Sequence, residues 1–533
     1  MKSRTWPLSA PRTPHLVAAV VASLALGTAG CNAGENTSAC ADLPTATGPA
    51  VFVSSTCGSA TGTGSAASPF LTISAGVKAA TPGTTVAIGP GSYAESVVVP
   101  AGVHLLGAGL GKTSIEPPVV AKGSAPGIAV TGSGKTAVEG LTVKGATGTG
   151  IQANGAELVV TAVQVTATKA ADNVAGHGIQ LVGGAGLTCT SCVITDNVGV
   201  GVLAAQVGTV AIIDPTFKPN ARGTTETGII DPTFAPASQV SNNKGGGISI
   251  IDPTFAPAKT DDLAAEAVRI VATDVSGNTG FGIAVYGGGL SVERSAIRNT
   301  IRKQQGLHDF ADGIVLGKSE RTAKAQVRID VGSFIGGNER AGLLAAQPSD
   351  VQVEGEIAGN GMGGVWAQGK ETLVRLRPSA CLAKNALVGV AAIGGATLDI
   401  DGSRIEGTTM RKFGPPGGGM PIEVGDGVGI FGKARATIKN ARIAENFRAG
   451  LLLNDAAATA TNEVDVEVTG TNFIGGNFGV VVNKGGAAAA PAKKLKDGNT
   501  FDKVATPFDP AGSLGIQGNV CGSDKDPCEF KSK

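Results

Sequence analysis

Hydrophobic and polar residues alternate one for one over five or six positions along most of the chain, then break at Gly or Asn. Val464-Asp465-Val466-Glu467-Val468 and Thr397-Leu398-Asp399-Ile400-Asp401 are examples. A period of two belongs to strands with one buried face. Between the strands a hexad recurs: Asn, three variable residues, Gly, then an aliphatic residue. Intact copies begin at Asn197, Asn243, Asn278, Asn338, Asn360, Asn385 and Asn446, and a worn copy at Asn477 has Val481 where Gly is expected. The closest copies are 22 and 25 residues apart, and the 46 residues from Asn197 to Asn243 read as two such steps. This spacing is too short for helix-pair repeats and fits one coil of short strands per repeat. Asn and Gly both tolerate left-handed backbone, so they suit the corners, and stacked Asn side chains can bond along a ladder. The expected fold is all-β: a single-stranded parallel β-helix running from about residue 84 to 500.

Composition agrees with a narrow interior. Gly accounts for 81 of 533 residues, whereas Phe, Trp and Tyr number 16, 2 and 2. A formal net charge of +1 announces no electrostatic partner, and nucleic acid is not expected. At the N-terminus, Lys2, Arg4 and Arg12 precede the apolar run Leu16 to Leu26, so residues 1–30 read as a secretory signal peptide. Residues 31–50 read as a flexible tether, 51–83 as a cap region with a helix from Thr72 to Ala80, and 501–533 as a C-terminal cap or tail. Eight cysteines in an exported chain point to disulfides before metal sites. Cys40 with Cys57, Cys189 with Cys192, and Cys521 with Cys528 are the candidate pairs, which leaves Cys381 alone.

Two resemblances sharpen this reading. Gly27-Thr28-Ala29-Gly30-Cys31 resembles a bacterial lipoprotein processing site, which implies lipid on Cys31 and attachment to an outer membrane or cell surface. An ordinary signal peptide followed by a structural Cys31, in a secreted or periplasmic protein, is the alternative. The hexad coils resemble the right-handed parallel β-helix superfamily that includes pectin lyases and many bacterial surface proteins. Val51-Phe52-Val53-Ser54, Ser68-Pro69-Phe70-Leu71-Thr72-Ile73, Gly83-Thr84-Thr85-Val86 and Gly89-Pro90-Gly91-Ser92-Tyr93-Ala94-Glu95 look more narrowly like an uncharacterised domain that opens such proteins.

Enzymes of that superfamily set carboxylates or Ca²⁺ ligands on neighbouring coils. Gly176-His177-Gly178 resembles a polygalacturonase tripeptide, yet only Asp42 and Asp172 precede it, so His177 is expected at a turn or the surface. Ile-Ile-Asp-Pro-Thr-Phe occurs at Asp214, Asp231 and Asp252. Asp231 and Asp252 are the one candidate acid or Ca²⁺ pair, with a plain turn role favoured. Two insertions leave the stack before Asp312-Gly313 and Asp426-Gly427 and carry Arg302, Lys303, His308, Asp309, Arg411, Lys412 and Phe413 as candidate binding residues. They are expected about four coils apart, near ~20 Å, too far for Asp312 and Asp426 to act on one bond. No catalytic set, metal or cofactor is expected. The sequence favours an envelope lipoprotein with a structural or binding role, a polysaccharide or surface protein being the partner expected for binding. A lyase or glycoside hydrolase of acidic polysaccharide is the alternative.

Overall fold

Each coil of the computed structural model contributes up to three strands, which stack in parallel on the strands of the coils before and after. The first face includes Val200–Ala205, Gly246–Ile251, Phe281–Tyr286, Asp312–Gly317 and Ala341–Ala346; the second includes Val210–Ile213, Val268–Val271 and Gly288–Glu293; the third includes Val193–Thr195, Ser238–Ser241, Thr273–Ser276 and Ala296–Arg298. Together these faces form a parallel β-helix. The residues described are 40, 42–171, 175–215, 237–253, 268–302, 310–319, 324–346, 348–413, 422–455, 465–484, 493–495, 498–509, 520–521 and 526–527. Cys40–Lys533 clusters as one compact unit; Met1–Ala39, with Cys31, lies outside the described residues.

Alternation within each strand sends every second side chain inward, and the parallel register puts like on like. On the third face Val143, Val165, Ile194, Val240, Val275, Ile297, Ile335 and Ile357 form one continuous row. All are buried, and each contributes about 1.5–3 kcal/mol relative to an exposed position. The row ends in Phe473 on Phe501, whose rings stack with centroids 4.9 Å apart. At the other end helix α1 (Ile73–Ala79) closes the first coil with Ile73 and Val77 inward. Thr72 accepts from the Ala75 N–H, and Glu95 accepts from the N–H groups of Ile73 and Ser74 at 2.8 and 2.9 Å. Glu95 closes the resemblance segment, so its carboxylate gives that motif a mechanical role as the helix's cap.

The hexad Asn residues form buried ladders at the corner between the third and first faces. Asn197 Nδ2 donates to Asn243 Oδ1 at 2.9 Å and Asn243 Nδ2 to Asn278 Oδ1 at 3.0 Å; Asn338, Asn360 and Asn385 repeat the arrangement at 2.9 Å. Backbone N–H groups of the preceding coil donate to the same oxygens, as Asn243 N–H does to Asn278 at 3.0 Å. Asn197 and Asn243 are therefore on adjacent coils. The 46-residue interval is one coil lengthened between Ile213 and Ser238, not two steps. The worn copy is also out of register, since Asn477 is exposed and donates to the Phe447 carbonyl instead.

The corner backbone also differs from expectation. No ladder Asn has positive φ; the residue before it does, at Asp196, Asn242, Lys384, Glu445, Gly277, Gly337 and Gly359. The hexad Gly is required by close approach. A Cβ on Gly282 would lie 2.6 Å from both the Gly313 carbonyl and Ile297 Cγ2, and one on Gly178 would lie 2.9 Å from Asn197 Nδ2. A second ladder that the hexad does not reveal flanks the third face on its other side: Thr273 N–H donates to Ser295 Oγ at 3.0 Å, and Ser295 N–H to Ser333 Oγ at 3.3 Å. Two further facts are the Cys40–Cys57 and Cys189–Cys192 disulfides. Cys528 lies outside the described residues.

If the ladder rather than turn propensity explains the hexad, Asn243→Ala should lower unfolding stability by about 3 kcal/mol, because buried donors and acceptors on three coils lose partners. Asn477→Ala should stay within about 0.5 kcal/mol of wild type in the same denaturant titration.

Candidate functional site

Chemistry-bearing residues gather at this third-to-first corner, and its length explains why. From a ladder Asn the chain reaches the hexad Gly in four residues. Where Thr stands in the ladder position, at Thr168, Thr300 and Thr408, the corresponding Gly178, Gly313 and Gly427 follow after 10, 13 and 19 residues. The backbone N–H of each Thr still donates to the next Asn, at 3.2, 3.0 and 3.2 Å to Asn197, Asn338 and Asn446. Thr has no amide to donate onward. Each ladder run thus begins at a Thr, and the insertions leave the stack there.

The chain returns from these three excursions through His177, Asp312 and Asp426, each directly before the Gly. All three do the same work. His177 Nδ1 accepts the Val200 N–H at 3.1 Å, Asp312 accepts the Ala341 N–H at 2.9 Å, and Asp426 accepts from Ala449. Both carboxylates are buried and are gripped on both oxygens by an arginine of the next coil. Arg340 holds Asp312, with Nε to Oδ1 at 2.7 Å, and Arg448 holds Asp426 at 2.8 and 2.5 Å. Burial pushes the Asp426 carboxyl above its ordinary pKa against the opposing pull of Arg448. His177 is half-buried at a strand start instead of in a turn, and burial lowers its pKa.

The other candidates are spread over the fold. Asp214 is buried at the end of a second-face strand and accepts the Ala237 N–H at 2.6 Å. Asp252 follows a first-face strand in left-handed backbone, with φ 47°. Asp231, Lys303, His308 and Asp309 lie outside the described residues. Cys381 is a free thiol on the third face, where it accepts from Arg404 at 3.3 Å. Among the described residues no group of three or more His, Cys, Asp or Glu side chains is placed to hold a metal ion.

Both insertions leave the same corner, and Asp312 and Asp426 sit four coils apart, as register through Leu343, Val365 and Val390 requires. Their arginines nevertheless converge. Arg302 reaches forward to Met362 Sδ at 3.7 Å, while Arg411 reaches back to the Gly361 carbonyl. Arg411 stands on a hairpin in which Arg411–Phe413 pairs antiparallel with Ile422, Glu423 and Val424. Lys412 there pairs with Glu423 at 3.8 Å. Arg302 also lies 3.8 Å from Glu339, and Arg340 covers the Phe310 ring at 4.8 Å. Ile301 and Met410, next in sequence to Arg302 and Arg411, are exposed apolar side chains, as are Phe310 and Phe447, at 37–45% accessible.

On the first face next to this corner one register row runs through Leu203, Ser249, Ala284, Val315, Leu344, Trp366 and Ala391, all uncharged; Leu203, Leu344 and Trp366 are half-buried and the other four are buried. The sequence holds a signal for it, since these residues stand two after each hexad Gly. Nothing in the period itself tells which of the alternating positions faces solvent in an apolar row. Arg302 meeting Arg411 has no sequence signal, because it depends on the reach of two side chains across coils.

A family model described as a right handed beta helix region matches residues 101–221. With the strand stacking above, it identifies the fold as a right-handed parallel β-helix. No curated protein matches the sequence. Among solved structures, the chain is similar to the A-module of the Azotobacter vinelandii mannuronan C-5 epimerase AlgE6, at 13% identity over 82% of this chain and 94% of that one, with a TM-score of 0.29. It is similar to pectate lyase Pel9A at 14% identity, over 76% and 81%, with a TM-score of 0.34. It is similar also to the Streptococcus pneumoniae surface protein and adhesin PfbA at 10% identity, over 84% and 94%, with a TM-score of 0.22. Likeness at this level concerns fold alone.

The His177 contact predicts a pH dependence. Its folded pKa is depressed, so between that value and the ordinary ~6.5 the unfolded chain binds more protons. The associated stability is full above about pH 6.5 and declines as pH falls below it. His177→Gln should remove that decline in thermal melts between about pH 7 and 5, leaving only carboxylate titration below.

Proposed function

We propose that this chain is an exported bacterial envelope protein, held to a membrane through lipid on Cys31, whose β-helix is a scaffold for binding a polysaccharide or a surface protein. What carries this reading is the engagement of the described candidates at the insertion corner. Asp312 and Asp426 are each bound by an arginine and a backbone N–H, and His177 accepts a backbone N–H. A carboxylate held on both oxygens by a guanidinium has its lone pairs engaged and is a poor general base. Two carboxylates four coils apart, about 19 Å, also exceed the ~5–9.5 Å that glycoside cleavage uses. What supports adhesion on the adjoining first face is its half-buried Leu203, Leu344, Trp366 and Tyr286, of which the two aromatics combine an apolar ring with a polar handle.

Two measurements test this. Incubation with pectin, polygalacturonate, alginate and glycosaminoglycans, with and without Ca²⁺, should give no unsaturated or reducing-end products; turnover abolished by Asp252→Asn would establish the enzymatic alternative. Cys31→Ser should move the protein from the membrane fraction to the soluble one, and unchanged membrane partitioning would remove the anchor.

A further inference from the structure

We propose that the first face carries a binding subsite for an uncharged polysaccharide, whose chain runs along the stack across the rings of Tyr286, Trp366 and Phe431; the inference rests on the binding-scaffold reading above and names a ligand class for it. The starting observation is a set of glycines that the corner interlock does not require. Gly317, Gly363 and Gly429 are first-face residues outside the hexad Gly position, and each lies under a ring. A Cβ on Gly317 would stand 2.6 Å from Tyr286 Cδ1 and Cε1, one on Gly429 would stand 2.6 Å from Phe431 Cε2, and one on Gly363 would collide with Trp366 Nε1. The missing side chains let the three rings settle against the backbone, and all three are half-buried, with the rest of each ring open to solvent. Trp366 Nε1 also donates to the Met362 carbonyl at 3.2 Å, which fixes the indole. A ring already fixed loses little rotamer freedom when a ligand arrives. Tyr286 stands three coils before Trp366 and Phe431 two coils after it, so at ~4.8 Å per coil the platforms are about 14 and 10 Å apart along the stack.

The apolar side of a pyranose presents C–H bonds, and these are attracted to the negative face of an aromatic ring. Three fixed rings along one axis suit a ligand that repeats along that axis, as a linear glycan does. An extended polypeptide gains its affinity by adding a strand, but the first-face strands from Phe281–Tyr286 to Ile422–Phe431 are paired in parallel on both sides and offer no edge. Globular partners are gripped by side chains that enter pockets, whereas these rings lie down on a sheet. Charge decides between acidic and neutral sugars. The two register rows that carry the rings, from Ala284 and Tyr286 to Gly429 and Phe431, contain no charged residue. A uronate carboxylate laid on them would lose water without gaining a cation from either row. Arg340 and Arg448 at the neighbouring corner already hold Asp312 and Asp426. Gln368, exposed on the same strand as Trp366, supplies an amide that both donates to and accepts from sugar hydroxyls.

Affinity electrophoresis of the full chain in neutral detergent tests this, in native gels holding hydroxyethyl cellulose, galactomannan or dextran, with polygalacturonate in a parallel gel. Wild type should be retarded by at least one of the neutral glycans and not by polygalacturonate. In the retarding gel Trp366→Ala and Phe431→Ala should each raise the apparent Kd by about fivefold or more, and Tyr286→Ala should raise it too. Trp366→Phe should keep most of the binding. Lys439→Glu, on the second face, should change nothing, and melting temperatures should show that all variants fold. No retardation by any neutral glycan, or retardation that survives Trp366→Ala combined with Phe431→Ala, overturns the subsite while the scaffold reading stands. Ring-dependent retardation by polygalacturonate alone overturns the neutral ligand class. Shortening of a retarding glycan during incubation with wild type overturns the scaffold reading and leaves the ring subsite in place.

Discussion

Close approach of successive coils at one corner is the constraint on which the rest of this structure depends. At a spacing of about 4.8 Å the Gly of one coil must pass beneath the Asn amide and the Gly carbonyl of the next. A methyl group there would meet atoms at 2.5–2.9 Å, as at Gly178 and Gly282. The Asn side chain then satisfies the backbone groups that such a sharp corner would otherwise bury without partners. Asn and Gly are thus two halves of one interlock, and neither substitutes for the other. The apolar rows inside the coils supply much of the burial energy, but they do not select the corner. The interlock does.

The same corner explains where the protein elaborates itself. A Thr in the ladder ends one run and begins the next, and there the chain departs and returns. The returning residue, His177, Asp312 or Asp426, meets an N–H of the following coil, so each excursion is closed by a side-chain acceptor. With Arg340 and Arg448 on the two acids, the closure becomes a buried ion pair whose breaking is costly. Residues that look catalytic from their types are therefore the fastenings of the loops. The loops bring Arg302 and Arg411 together over the turn at Gly361 and Met362.

The fold was legible because a two-residue alternation and a hexad at 22 to 25 residues leave little else to build. Its details were legible only where the spacing stayed regular. Asn197 and Asn243 read as two coils apart because an insertion of about one coil's length lies between second and third strands, and length alone cannot tell the two cases apart. Left-handed backbone was assigned to the Asn by its general tolerance, whereas the ladder needs the Asn side chain turned inward and gives the bend to the preceding residue, Asp196 or Gly277. Thr300 and Thr408 carried no signal, since Thr is common in strands. The pairing of Asp312 with Arg340 was readable in principle: Asp-Gly-Ile and Asp-Gly-Val are each followed one coil later by Arg-Ala-Gly-Leu. The convergence of Arg302 with Arg411 was not, because their strands are far apart along the stack.

Hydrogen exchange measures most directly whether the corner interlock is the spine of the fold. In wild type the amides of Asn197, Asn243, Asn338 and Asn360, which donate to side-chain oxygens of the next coil, should be among the slowest to exchange, opening only with global unfolding. The amides around Asn477, where the ladder is absent, should exchange much sooner. Equal protection at both places, or faster exchange at the ladder than in the second-face strands, would contradict the account.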